Sequence, residues 1–266
     1  MTSATIQRLK DAECFLFDMD GTIYLGDRLL PGAREMIEHL QRTGFPFYFL
    51  TNNSSRAGAD YAAKLRRLGL QVDASAIFTS GEATALYLRE KTSARRLFVV
   101  GTPSLEQEMR AHGFALDADA PDAAVLGFDT GLTYAKLWRL CDLVRAGAPY
   151  IATHPDFNCP TEDGFMPDIG AMIAFVKAST GREPDCIVGK PHAPIVEAVS
   201  RKTGAPVERL VMVGDRLYTD IALGRAGLMT VLALSGETKL EDLPGSPHQP
   251  DLIVRDVGEL LTLFAY

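Results

Sequence analysis

No apolar run in the 266-residue sequence is long enough to cross a bilayer, because charges and prolines interrupt every candidate. Residues 1–10 are polar and hold no apolar stretch of the kind that drives secretion, so the expectation is a cytoplasmic protein with no membrane partner. Basic charge is not in surplus. Against 27 Lys and Arg stand 34 Asp and Glu, a net charge of −7. That balance argues against a protein built to coat nucleic acid, while a local field can still oppose the net charge and accept a small anion. Cysteine is sparse: Cys14, Cys141, Cys159 and Cys186 are far apart and form no C-x-x-C pair, which excludes a zinc or redox motif of that type. Cys14 and Cys186 lie in apolar runs and read as small core residues. There is no short-period repeat and no low-complexity segment.

What is present is ordinary for a soluble globular chain, with 47% hydrophobic and 23% charged residues. The length allows one large domain or two modest ones, with enough core to need no disulfide or metal staple. Short apolar runs alternate with amphipathic stretches. The runs predict strands over 14–17, 46–50, 77–79, 97–100, 123–127, 150–152, 186–188, 210–213, 230–234 and 252–254. Ala33, Met36, Ile37 and Leu40 recur at helical spacing before Gly44. Further helices are predicted over 57–68, 104–111, 134–146, 170–179, 195–202 and 218–226, with Trp138 expected to pack inward. Residues 154–168 read as a turn-rich loop, whose Phe165 and Met166 fit a packing role. This alternation is the α/β pattern of parallel sheets flanked by helices.

Polar residues gather where four of the strands end. The first runs into Asp18-Met19-Asp20-Gly21-Thr22, the second into Thr51-Asn52-Asn53. A third runs into Gly189-Lys190-Pro191, and a fourth into Gly214-Asp215-Arg216 with Asp220 five residues after Asp215. Ligands of open α/β sheets bind beyond the carboxyl ends of strands, so all four clusters face one crevice if their strands share one sheet. Asp18, Asp20, Asp215 and Asp220 brought together would repel, and an all-oxygen donor set of this kind suits Mg²⁺. Lys190, Thr51 and the N–H groups near Asn52 suit phosphoryl oxygens. In that chemistry Asp18 attacks phosphorus, and Asp20 protonates the leaving oxygen and then takes a proton from water. Taken singly, each cluster has a plainer meaning: a D-x-D turn, a capped helix start, an exposed lysine.

These residues resemble the haloacid dehalogenase superfamily. Asp18 to Thr22 is similar to its D-x-D-G-T motif, Thr51 to the second-motif hydroxyl, Lys190 to the third-motif lysine, and Gly214 to Asp220 to G-D-x-x-x-x-D. Thr51-Asn52-Asn53-Ser54, Pro155-Asp156 and Gly189-Lys190-Pro191 resemble the NagD-type and p-nitrophenyl phosphatase-like subgroup. The resemblance implies a Rossmann-like, doubly wound parallel sheet core formed by residues 1–80 and 186–266, with a smaller α/β cap inserted over 81–185; Gly81 at the junction reads as a hinge or as a plain helix start. It implies a Mg²⁺-dependent phosphomonoesterase working through an aspartyl-phosphate. Asp18, the Asp20 carbonyl and Asp215 would bind the metal, Asp220 would orient metal-bound water, and Thr51, Asn52 and Lys190 would hold phosphate.

The resemblance also implies that the loop over 154–168 meets the leaving group. Its His154, Asp156 and Asp168 are candidates for specificity; Asp156, Glu162, Asp163 and Asp168 read either as an acidic wall that favours hydroxyl-rich leaving groups such as sugars or as turn caps that face water. The expected partner is a small phosphorylated metabolite, and an exposed cap surface is the expected place for a homodimer. A phosphosugar mutase would use the same residues. A D-x-D glycosyltransferase or a non-catalytic phosphate-binding module are alternatives from other classes.

Overall fold

The computed structural model describes residues 2–117, 119–161 and 164–265. They form two compact units, each with its own parallel sheet. The first comprises residues 2–51, 58–78 and 199–265, the second 52–57 and 79–198. Among the described residues no helix is long and apolar enough to cross a membrane.

The first unit is Rossmann-like. Its six strands lie in the order Leu252–Val254, Met229–Ala233, Leu210–Gly214, Cys14–Phe17, Phe47–Thr51, Ile77–Thr79. Every residue of Cys14–Phe17 is buried, which explains its unbroken apolar run: both faces of a central parallel strand are covered. It pairs in parallel with Leu210–Gly214 on one side and Phe47–Thr51 on the other. The chain builds outward first in one direction and then in the other, so the strand order reverses beside Cys14–Phe17. Such a switch point leaves a crevice beyond the strand ends.

The predicted helix at Ala33 is present as Ala33–Thr43, burying Ala33, Met36, Ile37 and Leu40, with Gly44 left-handed at its end. Three helices escaped the sequence pattern: Ser3–Lys10 and Val257–Ala265 in this unit, and Ser80–Lys91 in the other. The second closes the core edge-on: the Phe264 ring lies 4.9 Å from Phe15 and 5.0 Å from Phe45. The helix expected over 218–226 is instead a 3₁₀ segment, Ile221–Ala226, with Gly224 inside it and left-handed Gly227 capping its end.

The second unit has five parallel strands in the order Cys186–Ile187, Tyr150–Ala152, Ala123–Leu126, Arg96–Val100, Ala115–Leu116. Three expectations change here. Cys186–Ile187 was read as opening the final core segment, yet it pairs with Ile151 and Ala152, so the segment of this unit runs on to residue 198. Asp185 sets that register, because its carboxylate accepts from the Tyr150 N–H at 2.8 Å and its own N–H donates to the Tyr150 carbonyl at 2.7 Å. An apolar run says that a strand is buried, not which of two sheets it joins. Second, residues 154–168 are not all loop: Asn158–Thr161 and Gly164–Pro167 pair as an antiparallel hairpin. Phe165 on it is 76% exposed, so it does not pack on the core. Third, Trp138 is 62% exposed on the Tyr134–Arg145 helix, whose buried stripe is Leu140, Cys141, Leu143 and Val144.

Gly81 is not at a loop-like joint. It is the second residue of the Ser80–Lys91 helix, capped by the Thr79 hydroxyl accepting from the Glu82 N–H, and a Cβ there would strike the Glu108 carboxylate and Leu105. Close packing against that carboxylate accounts for the glycine.

Candidate active site

In the first unit, Asp18 follows directly from the central strand, its N–H bonded to the Val213 carbonyl at 2.8 Å. The neighbouring strand ends at Gly214 and delivers Asp215. Asp18, Asp215 and Asp220 each offer a carboxylate oxygen within 4.8 Å of the others. Asp215 is 2% exposed and Asp220 fully buried. Asp215 Oδ2 accepts from the Glu237 N–H at 2.7 Å, while its Oδ1 is buried with no hydrogen-bond partner. Burial, with Asp18 and Asp220 adding negative charge, pushes the Asp215 pKa up to about 8. Two glycines make room for this carboxylate: a Cβ at Gly21 or at Gly236 would overlap it, and Gly21 has φ +85°. Arg216 lies beside the cluster, partly buried, with its Nε 3.1 Å from Glu237 Oε2. Burial works against its charge, but Asp18, Asp215 and Asp220 outweigh it and push its pKa up.

The donor chemistry fits a divalent cation. All three side chains are oxygen donors, and one buried oxygen lacks any other partner. Asp220 stands in the cluster itself, as the four-carboxylate reading of the sequence expects.

Asp20 sits on the turn that follows Asp18. Its residue surface is open to solvent, but protein around the carboxyl group pushes its pKa up, with Lys64 opposing and Asp18 adding to the rise. The Tyr24 hydroxyl donates to Asp20 Oδ2 at 3.1 Å. Burial raises the Tyr24 pKa, so that hydroxyl keeps its proton. Lys64 Nζ in turn lies 3.8 Å from the centre of the Tyr24 ring. Tyr24 and Lys64 were not legible in the sequence as site residues, and Arg216 was named in its cluster without a role. Tyr24, four residues after Asp20, carried only a spacing signal; Lys64 carried none. Thr51 ends the Phe47–Thr51 strand and is buried.

The remaining candidates belong to the second unit. Asn52 and Lys190 are both buried and are joined. The Lys190 N–H donates to Asn52 Oδ1 at 2.8 Å, and Asn52 Nδ2 donates to the Lys190 carbonyl at 2.9 Å. Asn52 Nδ2 also donates to Asp156 Oδ2 at 3.1 Å. The Asn52 side-chain amide is thus occupied by protein groups.

His154 is fully buried, with Nε2 3.0 Å from Asp168 Oδ1 and Nδ1 3.1 Å from the Thr153 hydroxyl. Asp168 is buried and also caps the Ile169–Thr180 helix, accepting from the Ile169 N–H at 2.7 Å. His154, Asp156 and Asp168 are therefore brought together, but the acidic wall loses Asp168 to this pairing. Glu162 and Asp163 lie outside the described residues.

Carboxylates at a switch point, a metal-suited donor set and a buried Asn–Lys pair are the features on which the comparisons bear. The profile of the haloacid dehalogenase-like hydrolases matches residues 15–115, and an HAD-hydrolase-like profile matches 187–260. The chain belongs to the haloacid dehalogenase-like hydrolases. It is similar to human glycerol-3-phosphate phosphatase, 36% identical over 95% of this chain and 91% of that protein. Among solved structures it is similar to the 4-nitrophenylphosphatase of Thermotoga maritima, 47% identical with a TM-score of 0.93, covering 97% of this chain and 99% of that one. It is also similar to NagD of E. coli, at 34% identity and a TM-score of 0.87, covering 93% of this chain and 98% of that one. This haloacid dehalogenase-like hydrolase is a NagD-type phosphatase, acting on phosphoric monoesters of small molecules. The glycosyltransferase and the non-catalytic binder fall away with that membership.

Proposed function

We propose that the protein hydrolyses phosphate monoesters of small, hydroxyl-rich metabolites through an aspartyl-phosphate on Asp18, with Mg²⁺ as the divalent cation. The single observation that carries the reading is the Asp18–Asp215–Asp220 cluster with its partnerless buried oxygen, in company with an Asp20 whose pKa is raised. Asp18, Asp215 and the Asp20 carbonyl would hold the cation, with Asp220 beside them. When bound, it would offset the negative charge of carboxylate and phosphate that otherwise repel.

Two carboxylates then divide the work. Asp18 attacks phosphorus: its oxygen–phosphorus bond forms as the bond from phosphorus to the leaving oxygen breaks. Asp20, protonated, gives its proton to that oxygen. Afterwards it takes a proton from water, whose oxygen attacks phosphorus and displaces Asp18. A raised pKa favours the acid form of Asp20 that the first step needs. The Tyr24 hydroxyl fixes the direction in which the acid points. Thr51 and Lys190 hold the phosphate oxygens.

A hydroxyl-rich leaving group draws support from the glycerol-3-phosphate named in the human relative, more than from the acidic loop, since Asp168 is tied to His154. Residues 79–198 act as the cap, and Trp138 and Tyr134, both exposed on one helix, mark the face for a homodimer.

Phosphate release should be measured on glycerol 3-phosphate, hexose phosphates, nucleoside monophosphates, phosphoglycolate and pyridoxal phosphate, with Mg²⁺ or with chelator. Free phosphate should appear without a bisphosphate primer. Asp18→Asn should lower kcat by at least about a thousandfold. A strict need for a primer would give the protein to the mutases. Unchanged turnover in Asp18→Asn would sink the mechanism.

A further inference from the structure

Lys190 is buried, and a buried cation is useful only if its ammonium is aimed. Its backbone is gripped in an unusual way. A single side-chain amide, that of Asn52, pairs with both polar backbone groups of the same residue: Oδ1 takes the Lys190 N–H at 2.8 Å and Nδ2 gives to the Lys190 carbonyl at 2.9 Å. The second Nδ2 hydrogen goes to the Asp156 carboxylate at 3.1 Å. This leaves one orientation for the amide. Rotated by half a turn, it would set NH₂ against the Lys190 N–H and its oxygen against both a carbonyl and a carboxylate.

Asp156 is in turn held through its own backbone, whose carbonyl accepts from the Gly170 N–H at 2.7 Å. Gly189 completes the arrangement. A Cβ there would lie 2.7 Å from Asn52 Oδ1, 2.7 Å from the Thr153 carbonyl and 2.8 Å from His154 Cβ, so only glycine lets Asn52 come this near.

We propose that Asn52, oriented by Asp156, is the positioning residue for Lys190: it fixes the backbone of the lysine so that the ammonium is preset for phosphate, rather than binding phosphate through its own amide. The inference rests on the reading of Lys190 as the phosphate-holding cation. It separates two residues that are otherwise given the same role. Lys190 acts on the ligand, and Asn52 acts only through Lys190. The loss of Asn52 must therefore matter only while the lysine is present.

The test is a double-mutant cycle on p-nitrophenyl phosphate with Mg²⁺, using wild type, Asn52→Ala, Lys190→Ala and the double variant. Asn52→Ala should lower kcat/KM on the order of 10- to 100-fold in the wild-type background, the range expected when a reacting group is misplaced by about an ångström. In the Lys190→Ala background the same change should cost no more than about twofold. An equal cost in both backgrounds overturns the proposal, because a merely structural defect would act with or without the ammonium.

A Lys190→Ala variant as active as wild type overturns the underlying reading of Lys190 instead. Hydrogen exchange of the peptide over 187–192 supplies a readout that needs no catalysis: Asn52→Ala should speed exchange there at least about tenfold, and unchanged protection overturns the clamp. If Asn52→Ala does not fold, Asn52→Asp replaces it. Its carboxylate would face that of Asp156, and adding Asp156→Asn should restore a measurable part of the lost kcat/KM. No recovery in that pair counts against Asp156 as the orienting group.

Discussion

At the scale of single residues, the site is a set of charges held at unequal protonation. Asp215 is the extreme case, with its pKa pushed up to about 8 from an ordinary 3.8 by burial and two neighbouring carboxylates. A carboxyl group whose pKa is higher in the folded than in the unfolded chain binds its proton more tightly when folded. Its contribution to stability is full below the unfolded value and is lost as pH rises through the folded one. The metal-free protein should therefore lose stability through this group between about pH 4 and about pH 8. A divalent cation competes with that proton, so the rise in melting temperature caused by millimolar Mg²⁺ should be larger near pH 8.5 than near pH 6. Melting curves with Mg²⁺ and with chelator at about those two values check this. A shift that is equal at both, or larger in acid, would place the cation elsewhere. The raised pKa of Asp20 acts on catalysis in a related way: its acid form survives to higher pH, and kcat should decline on the alkaline side as that proton is lost.

The candidate residues themselves were readable in the sequence because D-x-D-G-T and G-D-x-x-x-x-D carry local spacing. Tyr24 and Lys64 were not, since their value comes from where a turn and the Gly58–Arg67 helix place them. The pairing of Asn52 with Lys190 was not legible either, because its partner is 138 residues away.

At the scale of elements, helical periodicity and glycine stops proved legible. Ala33–Thr43 is bounded as its pattern implies, by Gly44 at the C-terminal end. Its opposite end was not legible as a contact. Gly32, left-handed with φ +74°, touches Gly258 at the start of the Val257–Ala265 helix so closely that a Cβ would overlap the Gly258 backbone. Gly44, with φ +68°, faces open space. The two positions share one conformational demand and differ in crowding. Gly44→Ala should cost about 1 kcal/mol from backbone strain alone. Gly32→Ala should cost about 2–4 kcal/mol, because two helix starts must also part. Urea titration of both variants measures the difference, and equal midpoints would mean that the helices part freely.

The strand Cys186–Ile187 shows where legibility ends at this scale. Two residues of half-buried apolar sequence pair as well with one parallel sheet as with another, and the choice is made by Asp185 and Tyr150 from 35 residues apart. Exposed Trp138 and Phe165 defeat the rule that large apolar side chains face inward. That rule is statistical, and single exposed apolar side chains are common on folded surfaces.

At the scale of the whole chain, the division into two units was legible from motif positions, but not its route. The chain passes from one unit to the other four times, because residues 52–57 belong with 79–198. That short segment is stitched into the second unit by polar groups. Ser54 Oγ accepts from the Phe128 N–H at 2.9 Å and lies 2.9 Å from the Thr153 hydroxyl, and the Thr102 hydroxyl donates to the Ser55 carbonyl at 2.8 Å. From Ser54 a buried line runs through Thr153 and His154 to Asp168. Each neighbouring pair along it lies at hydrogen-bond distance: Ser54 to Thr153 at 2.9 Å, Thr153 to His154 Nδ1 at 3.1 Å, and His154 Nε2 to Asp168 at 3.0 Å. Ser54→Ala leaves the Phe128 N–H buried without a partner, which should cost about 1–3 kcal/mol and show as a lowered denaturation midpoint. An unchanged midpoint would mean that water replaces the hydroxyl.

The same six residues set a limit on how the gene can be cut. An α/β insert that can be lifted out between two cut sites is a natural piece for swapping among related enzymes. Here the piece between residues 79 and 198 lacks part of its own interior. Transplanted alone, it would leave Phe128, Thr153 and Thr102 each short of a partner that residues 52–57 supply. Grafts of this region between relatives need two fragments moved together, the long one and the hexapeptide that precedes the Gly58–Arg67 helix.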